Sequence, residues 1–290
     1  MQLHTRPLDG PFGVEILDLD LSQPVAEPLA ESLRSALAEN AILLLRRQTL
    51  QPEDILRFTR LFGPLRVPLN DQYAIPGFEG LHRVSNVYEE GKPIGLPDAG
   101  VYWHSDGAYM ETPDLCTLLY AVEVPRDEHG QPLGATVFAS TELAYGALPD
   151  ALRRRIDPLR GAFTVTLQYE RKRRSGLLKR DGLTDEQLRH APTRIHPIVR
   201  THPVTGRKCI YASDGHTSHI VDLPEDESRS LLAELHRHVT DPRFRYTHCW
   251  SEGDLLLWDN RSTQHNATFD YRLPQRRVMY RTSCIGSVPF

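Results

Sequence analysis

His104 and Asp106, two residues apart in Tyr102-Trp-His-Ser-Asp-Gly107, are side chains whose types and spacing could do chemistry together. On a strand, residues i and i+2 share a face with their backbones about 6.5–7 Å apart, so an imidazole and a carboxylate can converge on one ion. A third ligand must come from elsewhere in the chain. His265, closing the run Trp258-Asp-Asn-Arg-Ser-Thr-Gln-His265, is the best candidate. Two histidines and a carboxylate occupy one face of an octahedron and leave three positions open. Non-haem Fe(II) oxygenases use those positions for a chelating co-substrate and dioxygen. His-x-Asp also arises without any metal, as a strand histidine beside a surface aspartate, so the pair alone decides nothing.

Near the C-terminus a second group of residues has chemical potential. If Arg276–Ile285 is a strand, alternation puts Arg277, Met279, Arg281 and Ser283 on one face and Arg276, Val278, Tyr280 and Thr282 on the other. Arg277 and Arg281 would then share a face about 13 Å apart, room for two different anions. A buried guanidinium needs an anionic partner and grips a carboxylate through two parallel hydrogen bonds. Arg276 should face solvent. Arg281 could anchor a substrate, support Arg277 or pair with an internal carboxylate.

Elements able to position these residues can be read from the periodicity. Phe12–Leu21 alternates apolar and acidic residues and reads as a half-exposed strand; Pro28–Glu39 carries Leu29, Leu33, Ala36 and Leu37 at helical spacing. Ala41-Ile-Leu-Leu-Leu45 reads as a strand buried on both faces. A helix begins near Pro52, turns Ile55, Phe58 and Phe62 inward, and stops at Gly63. The Pro-, Gly-, Asn- and Asp-rich stretch 64–100 is expected to be loop. Strands are expected at Val101–Ala108, Leu115–Val122, Thr136–Phe138, Phe244–Trp250, Asp254–Trp258 and Arg276–Ile285. Helices are expected at Thr141–Leu148, Pro149–Ile156 and Pro224–Val239, the last with Leu231, Leu232, Leu235 and Val239 as its apolar stripe. Glu170–Ala191, with Arg171-Lys-Arg-Arg174, reads as a solvated loop, and the wider segment 166–192 as a candidate lid over a pocket. Short strands without regular βαβ alternation, flanked by helices, favour a sandwich or jelly roll within a single domain, 1–290.

Composition narrows the function classes. The 34 basic and 38 acidic residues leave a net charge of −4, which gives no electrostatic reason to expect nucleic acid or an anionic membrane. No apolar run approaches the roughly 18 residues of a membrane span. Cys116, Cys209, Cys249 and Cys284 are far apart and form no CxxC pair, as expected of thiols in a reducing compartment. A soluble, cytoplasmic protein acting on a small molecule is the expectation. No GxSxG, P-loop or Rossmann fingerprint points to a hydrolase, kinase or dehydrogenase. His216 and His219 lie three apart but near an expected turn, without an evident third ligand. His196, His202 and His248 read as packed residues.

With these motifs in place, the chain resembles the TauD/TfdA family, the taurine dioxygenase and 2,4-dichlorophenoxyacetate dioxygenase group. The likeness runs through Gly13-Val-Glu-Ile-Leu-Asp-Leu-Asp-Leu-Ser22, Phe62-Gly-Pro-Leu65, Trp103-His-Ser-Asp106, Glu111-Thr-Pro113, Trp258–His265 and Asp270–Arg281. It implies a mainly β chain with peripheral helices around a double-stranded β-helix, a jelly-roll and cupin-like core. It implies iron(II) on His104, Asp106 and His265, with 2-oxoglutarate and dioxygen as co-substrates and succinate and carbon dioxide as co-products. Thr136 and Arg277 would hold 2-oxoglutarate. Arg281 would face an anionic substrate (a carboxylate, sulfonate, sulfate or phosphonate), with Gly107, Asn70 and Tyr102 as further candidate contacts. A homo-oligomer, dimer or tetramer, is also expected.

Two departures from the family pattern stand out. The step from His265 to Arg277 is one residue longer than in taurine dioxygenases, and Arg272 reads as an insertion in a loop. If the register shifted instead, Arg276 would take the role of Arg277, but alternation would then part it from Arg281. Pro68 stands where taurine dioxygenases carry a substrate-binding histidine, which argues against taurine. Asp106 is the carboxylate that related halogenases lack, so hydroxylation is expected. A metal-dependent lyase or isomerase, or a non-catalytic binding protein on the same fold, are the rival readings.

Overall fold

The computed structural model describes residues 3–67, 72–178 and 183–290. Its main sheet has eight strands, in the order Thr5–Pro7, Val14–Ile16, Ile42–Leu45, Leu255–Asp259, Asp114–Glu123, Val278–Ile285, Phe78–Ser85 and Ala74–Ile75. All neighbours run antiparallel except Val14–Ile16 beside Ile42–Leu45. A smaller sheet, Arg245–His248, Thr136–Ser140 and Thr263–Ala267, faces it, and the two do not close into one barrel. The core between them is a jelly roll.

Apolar residues on both faces of the main sheet explain why its central strands do not alternate. Leu43, Leu45, Leu118, Leu255 and Leu257 pack against the helices Glu27–Asn40 and Pro52–Thr59 through Leu33, Leu37, Ile55 and Phe58. From the opposite face Ile42, Leu44, Leu119, Leu256, Trp258 and Met279 meet Phe138 and Tyr246 of the smaller sheet. Each strand therefore reads as a near-continuous apolar run. Glu225–Val239 buries Leu231, Leu232, Leu235 and Val239 in a third cluster, as its stripe predicts. No described helix is long and apolar enough to cross a membrane.

The expected helices at Pro28–Glu39, Thr141–Leu148, Pro149–Ile156 and Pro224–Val239 form with ends shifted by at most two residues, and the one from Pro52 ends at Thr59, short of Phe62 and Gly63. Four expectations need correction. Phe12–Leu21 contains only a three-residue strand, Val14–Ile16, and it is buried. Residues 64–100 are not all loop, because Phe78–Ser85 is an eight-residue strand beside Val278–Ile285. Its glycine and polar side chains hid it from the periodicity. Val101–Ala108 is not a strand: His104 makes one isolated bridge and Asp106 opens a turn. Glu170–Ala191 is not a solvated loop. Thr166–Arg174 and Asp185–His190 are helices, and Lys172 is buried.

Candidate active site

Backbone pairing brings the two histidines together. His104 donates its N–H to the carbonyl of His265 at 3.1 Å, and His265 returns one at 2.9 Å. Residues that exchange both bonds sit directly opposite across an antiparallel ladder. The imidazole centroids are 4.2 Å apart, and that of His265 is packed by Trp258 at 4.8 Å and Phe138 at 5.9 Å. Asp106 follows two residues after His104, at the start of a turn that the left-handed Gly107 (φ +65°) completes. A Cβ at Gly107 would lie 3.0 Å from the backbone nitrogen of Asp114. Ligand atoms of His104, Asp106 and His265 all lie within 4.8 Å of one another, and all three residues are buried.

Hydrogen bonds fix which atoms point at that common centre. The Nδ1 of His104 lies 2.7 Å from the carbonyl of Tyr102, which can only accept. Nδ1 therefore carries a proton, and Nε2 faces Oδ1 of Asp106 at 3.5 Å. Thr117 donates to Oδ2 of Asp106 at 2.7 Å while accepting from Nδ2 of Asn260 at 2.9 Å. The Oδ1 of Asn260 accepts the Asp106 backbone N–H and the Trp258 indole N–H. The carboxylate is thus held from below by residues of the Asp114–Glu123 strand and the Trp258–His265 run. Burial opposes its charge, but Arg281 and then His265 and His104 keep its carboxyl well below the usual range. Burial, then the neighbouring His104, push His265 down to about 3. An ionised carboxylate and a neutral His265 imidazole are protonation states that a divalent metal needs. Residues and group fit.

A cavity of about 230 Å³ opens over these ligands. Arg277, Arg281 and Ser283 all line it, as strand alternation requires, although the regular strand starts only at Val278. Arg277 is 4% exposed, and no carboxylate oxygen of a described residue lies within 4.0 Å of its guanidinium. Its neighbours are the Tyr271 ring, 5.9 Å from the guanidinium carbon, and Gly134, where a Cβ would meet its Cδ and Nε at 3.0 Å. Burial lowers its pKa, offset in part by Tyr271. Arg276 points outward, half exposed, and pairs with Glu123. Arg272 is exposed in the loop before this strand, and Arg277 takes the inward position. Thr136 is buried on the cavity wall and accepts the Trp250 indole N–H at 3.0 Å.

Arg281 sits 2.8 Å, through Nη2, from Oδ1 of Asp106. Its Nη1 is 3.3 Å from Nε2 of His82, a residue that burial and then Arg281 push down to about 3. Gly107 lines the cavity. Tyr102 does not: its ring lies under the Arg171 guanidinium at 4.1 Å, and its carbonyl is the part that serves the site. Asn70 lies outside the described residues.

Several lining residues escaped sequence reasoning. His216, expected to be a loop histidine, is buried 5.7 Å from His104 between ring centroids and reaches Gln168 at 3.1 Å. His219 is exposed on the strand Thr217–Ile220. Lys172 reaches the carbonyl of Asp98 at 2.6 Å and its carboxylate at 3.7 Å. Arg66 binds Asp114 at 2.8 Å and also the Thr112 carbonyl. Only Arg66 carried a signal, since it directly follows Phe62-Gly-Pro-Leu65. His248 and His202 are packed, as expected, against Asp254 and Asp259.

Residues 4–283 match the profile of the taurine catabolism dioxygenase TauD, TfdA family. The chain belongs to this family. It is an oxidoreductase of the dioxygenase class. It is 31% identical over 297 residues to the alpha-ketoglutarate-dependent 2,4-dichlorophenoxyacetate dioxygenase of Cupriavidus pinatubonensis, covering 98% of each chain. It is likewise 31% identical over 294 residues to pentalenolactone F synthase of Streptomyces arenae, covering 99% of this chain and 97% of that protein. Among solved structures, AAD-2 in complex with Mn(II) and N-oxalylglycine superposes with a TM-score of 0.81 at 31% identity. That superposition spans 100% of this chain and 99% of the other.

Proposed function

We propose that the protein is an iron(II)- and 2-oxoglutarate-dependent dioxygenase that hydroxylates a small monoanionic organic substrate. The observation that carries this reading is the convergence of His104, Asp106 and His265 beneath a cavity that also holds Arg277, a buried cation with no carboxylate within 4.0 Å among the described residues. Iron(II) on the three ligands would supply dioxygen activation, with 2-oxoglutarate leaving as succinate and carbon dioxide. Arg277 and Thr136 orient the distal carboxylate of 2-oxoglutarate. Thr117 and Asn260 hold Asp106 in ligand orientation. Trp258 and Phe138 fix the His265 ring and keep water from its back.

Charge supports the choice of a monoanion. Among the described residues, Arg66, Lys172 and Arg281 are paired with Asp114, Asp98 and Asp106, and Arg277 is left as an excess of one positive charge. A divalent metal and dianionic 2-oxoglutarate cancel, which leaves that single charge for the substrate to neutralise. Arg281 is placed to receive the anion, and Leu96, Val165 and Met110 offer an apolar surface for its body. The helix Thr166–Arg174 covers this side of the cavity through Gln168, Tyr169 and Lys172 and serves as a lid, while residues 179–182 of the segment lie outside the described residues. The test is a panel of carboxylates, sulfonates, sulfates and phosphonates beside their neutral amides and esters, assayed for substrate-dependent succinate. Turnover confined to the anions supports the reading. Preference for neutral or cationic compounds overturns it.

A further inference from the structure

The placement of Arg281 couples the two halves of the site. Its Nη2 lies 2.8 Å from Oδ1 of Asp106, while the nearest ligand nitrogen, Nε2 of His104, is 3.5 Å from that same oxygen. No other carboxylate of a described residue lies within 4.0 Å of the guanidinium. Its remaining contact is the His82 imidazole, which is neutral and offers no charge. The contact follows from register. Arg281 pairs with Leu119 on the strand that carries Thr117, and with His82 on the strand opposite. Asp106 needs no arginine to hold its orientation, because Thr117 and Asn260 already fix its second oxygen and its backbone.

We propose that Arg281 competes with the metal for Oδ1 of Asp106, and that an anionic substrate relieves this competition by drawing the guanidinium toward itself. The proposal rests on the function inferred above and adds a regulatory role to the residue that receives the substrate. A guanidinium beside a divalent ion repels it and withdraws charge from the ligand they share, so metal affinity is held down while Arg281 faces Asp106. A monoanion on Arg281 removes both effects. By linkage, substrate raises metal affinity by the same factor as metal raises substrate affinity. Arg281 is in this sense a positioning residue, acting on the metal through Asp106.

The experiment is the affinity for Mn(II) alone, by calorimetry and by the loss of the free-ion electron paramagnetic resonance signal, so that no turnover is needed. Arg281→Gln and Arg281→Met remove the charge, and Arg281→Lys keeps it; each is first checked for the wild-type circular dichroism spectrum and cooperative melting. The uncharged variants should bind Mn(II) roughly tenfold or more tightly than wild type, the scale on which partners of a ligand move metal affinity. Arg281→Lys should restore the weaker, wild-type value. Equal or weaker binding by whichever uncharged variant folds, in a protein whose wild type binds Mn(II), overturns the coupling and leaves the dioxygenase reading standing. Failure of the wild type to bind Mn(II) at all overturns both.

Discussion

If the Arg277 guanidinium is buried to bind 2-oxoglutarate, as proposed above, replacing it with methionine should stabilise the protein while disabling it. Methionine has a similar reach along the Gly134 backbone and packs against Tyr271 without the charge. Removing a buried cation that has no carboxylate within 4.0 Å among the described residues should raise stability by about 1–3 kcal/mol. For a domain of this size that is a rise in Tm of roughly 2–6 °C. The opposite sign is expected for 2-oxoglutarate. Two parallel charge-assisted hydrogen bonds contribute about 1.5–3 kcal/mol each, so their loss should weaken binding by roughly 10²–10⁴-fold. Thermal melts in excess chelator read the first effect, and an anaerobic titration of 2-oxoglutarate into the iron-loaded protein reads the second. A variant that loses stability yet binds 2-oxoglutarate as before would refute the reasoning and make Arg277 a structural residue.

Three further outcomes follow from the same structure. Thr117→Val strips Oδ2 of Asp106 and Nδ2 of Asn260 of their shared partner, and Mn(II) affinity should fall by about 10–100-fold with little change in fold; an unchanged affinity would remove Thr117 from the site. Asp259 is buried, and despite that burial Arg261 and His202 lower its pKa to about 2. Because the folded value lies below the unfolded one, Asp259 stabilises the fold above pH 4 and loses that contribution as pH falls toward 2. The urea-unfolding gap between wild type and Asp259→Asn should therefore narrow by about 2 kcal/mol across that window, and a constant gap would contradict it. Asp98→Ala removes the carboxylate 3.7 Å from Lys172, which should loosen Thr166–Arg174 and speed proteolysis within 166–192. Unchanged cleavage there would show that the pair does not hold the helix down.

The parts of the fold legible in the sequence were those with one strong period. Leu231, Leu232, Leu235 and Val239 mark their helix unaided, and Ile42–Leu45 declares a strand covered on both faces. Phe78–Ser85 carried no such pattern, since Gly80, His82 and Arg83 interrupt it and its place is set by pairing with Val278–Ile285. The three residues proposed as metal ligands stand out by type and spacing, but the strand geometry expected around His104 and Asp106 is absent. His104 is aimed by a two-bond bridge to His265, and Asp106 by Thr117 and Asn260 from two distant segments. Arg277 and Arg281 were placed correctly because alternation is a local rule. His82 carries no local signal, and His216 and Lys172 read as loop residues, because each comes from a separate segment and only packing brings them to the cavity.

The central claim, that His104, Asp106 and His265 hold iron(II) and present it to 2-oxoglutarate, is tested most directly by one spectrum. Fe(II) and 2-oxoglutarate added together under anaerobic conditions should give a weak visible charge-transfer band in the wild type. The band should be lost in His265→Ala and recovered by neither component alone. No band in the wild type, or an undiminished band in His265→Ala, would contradict it.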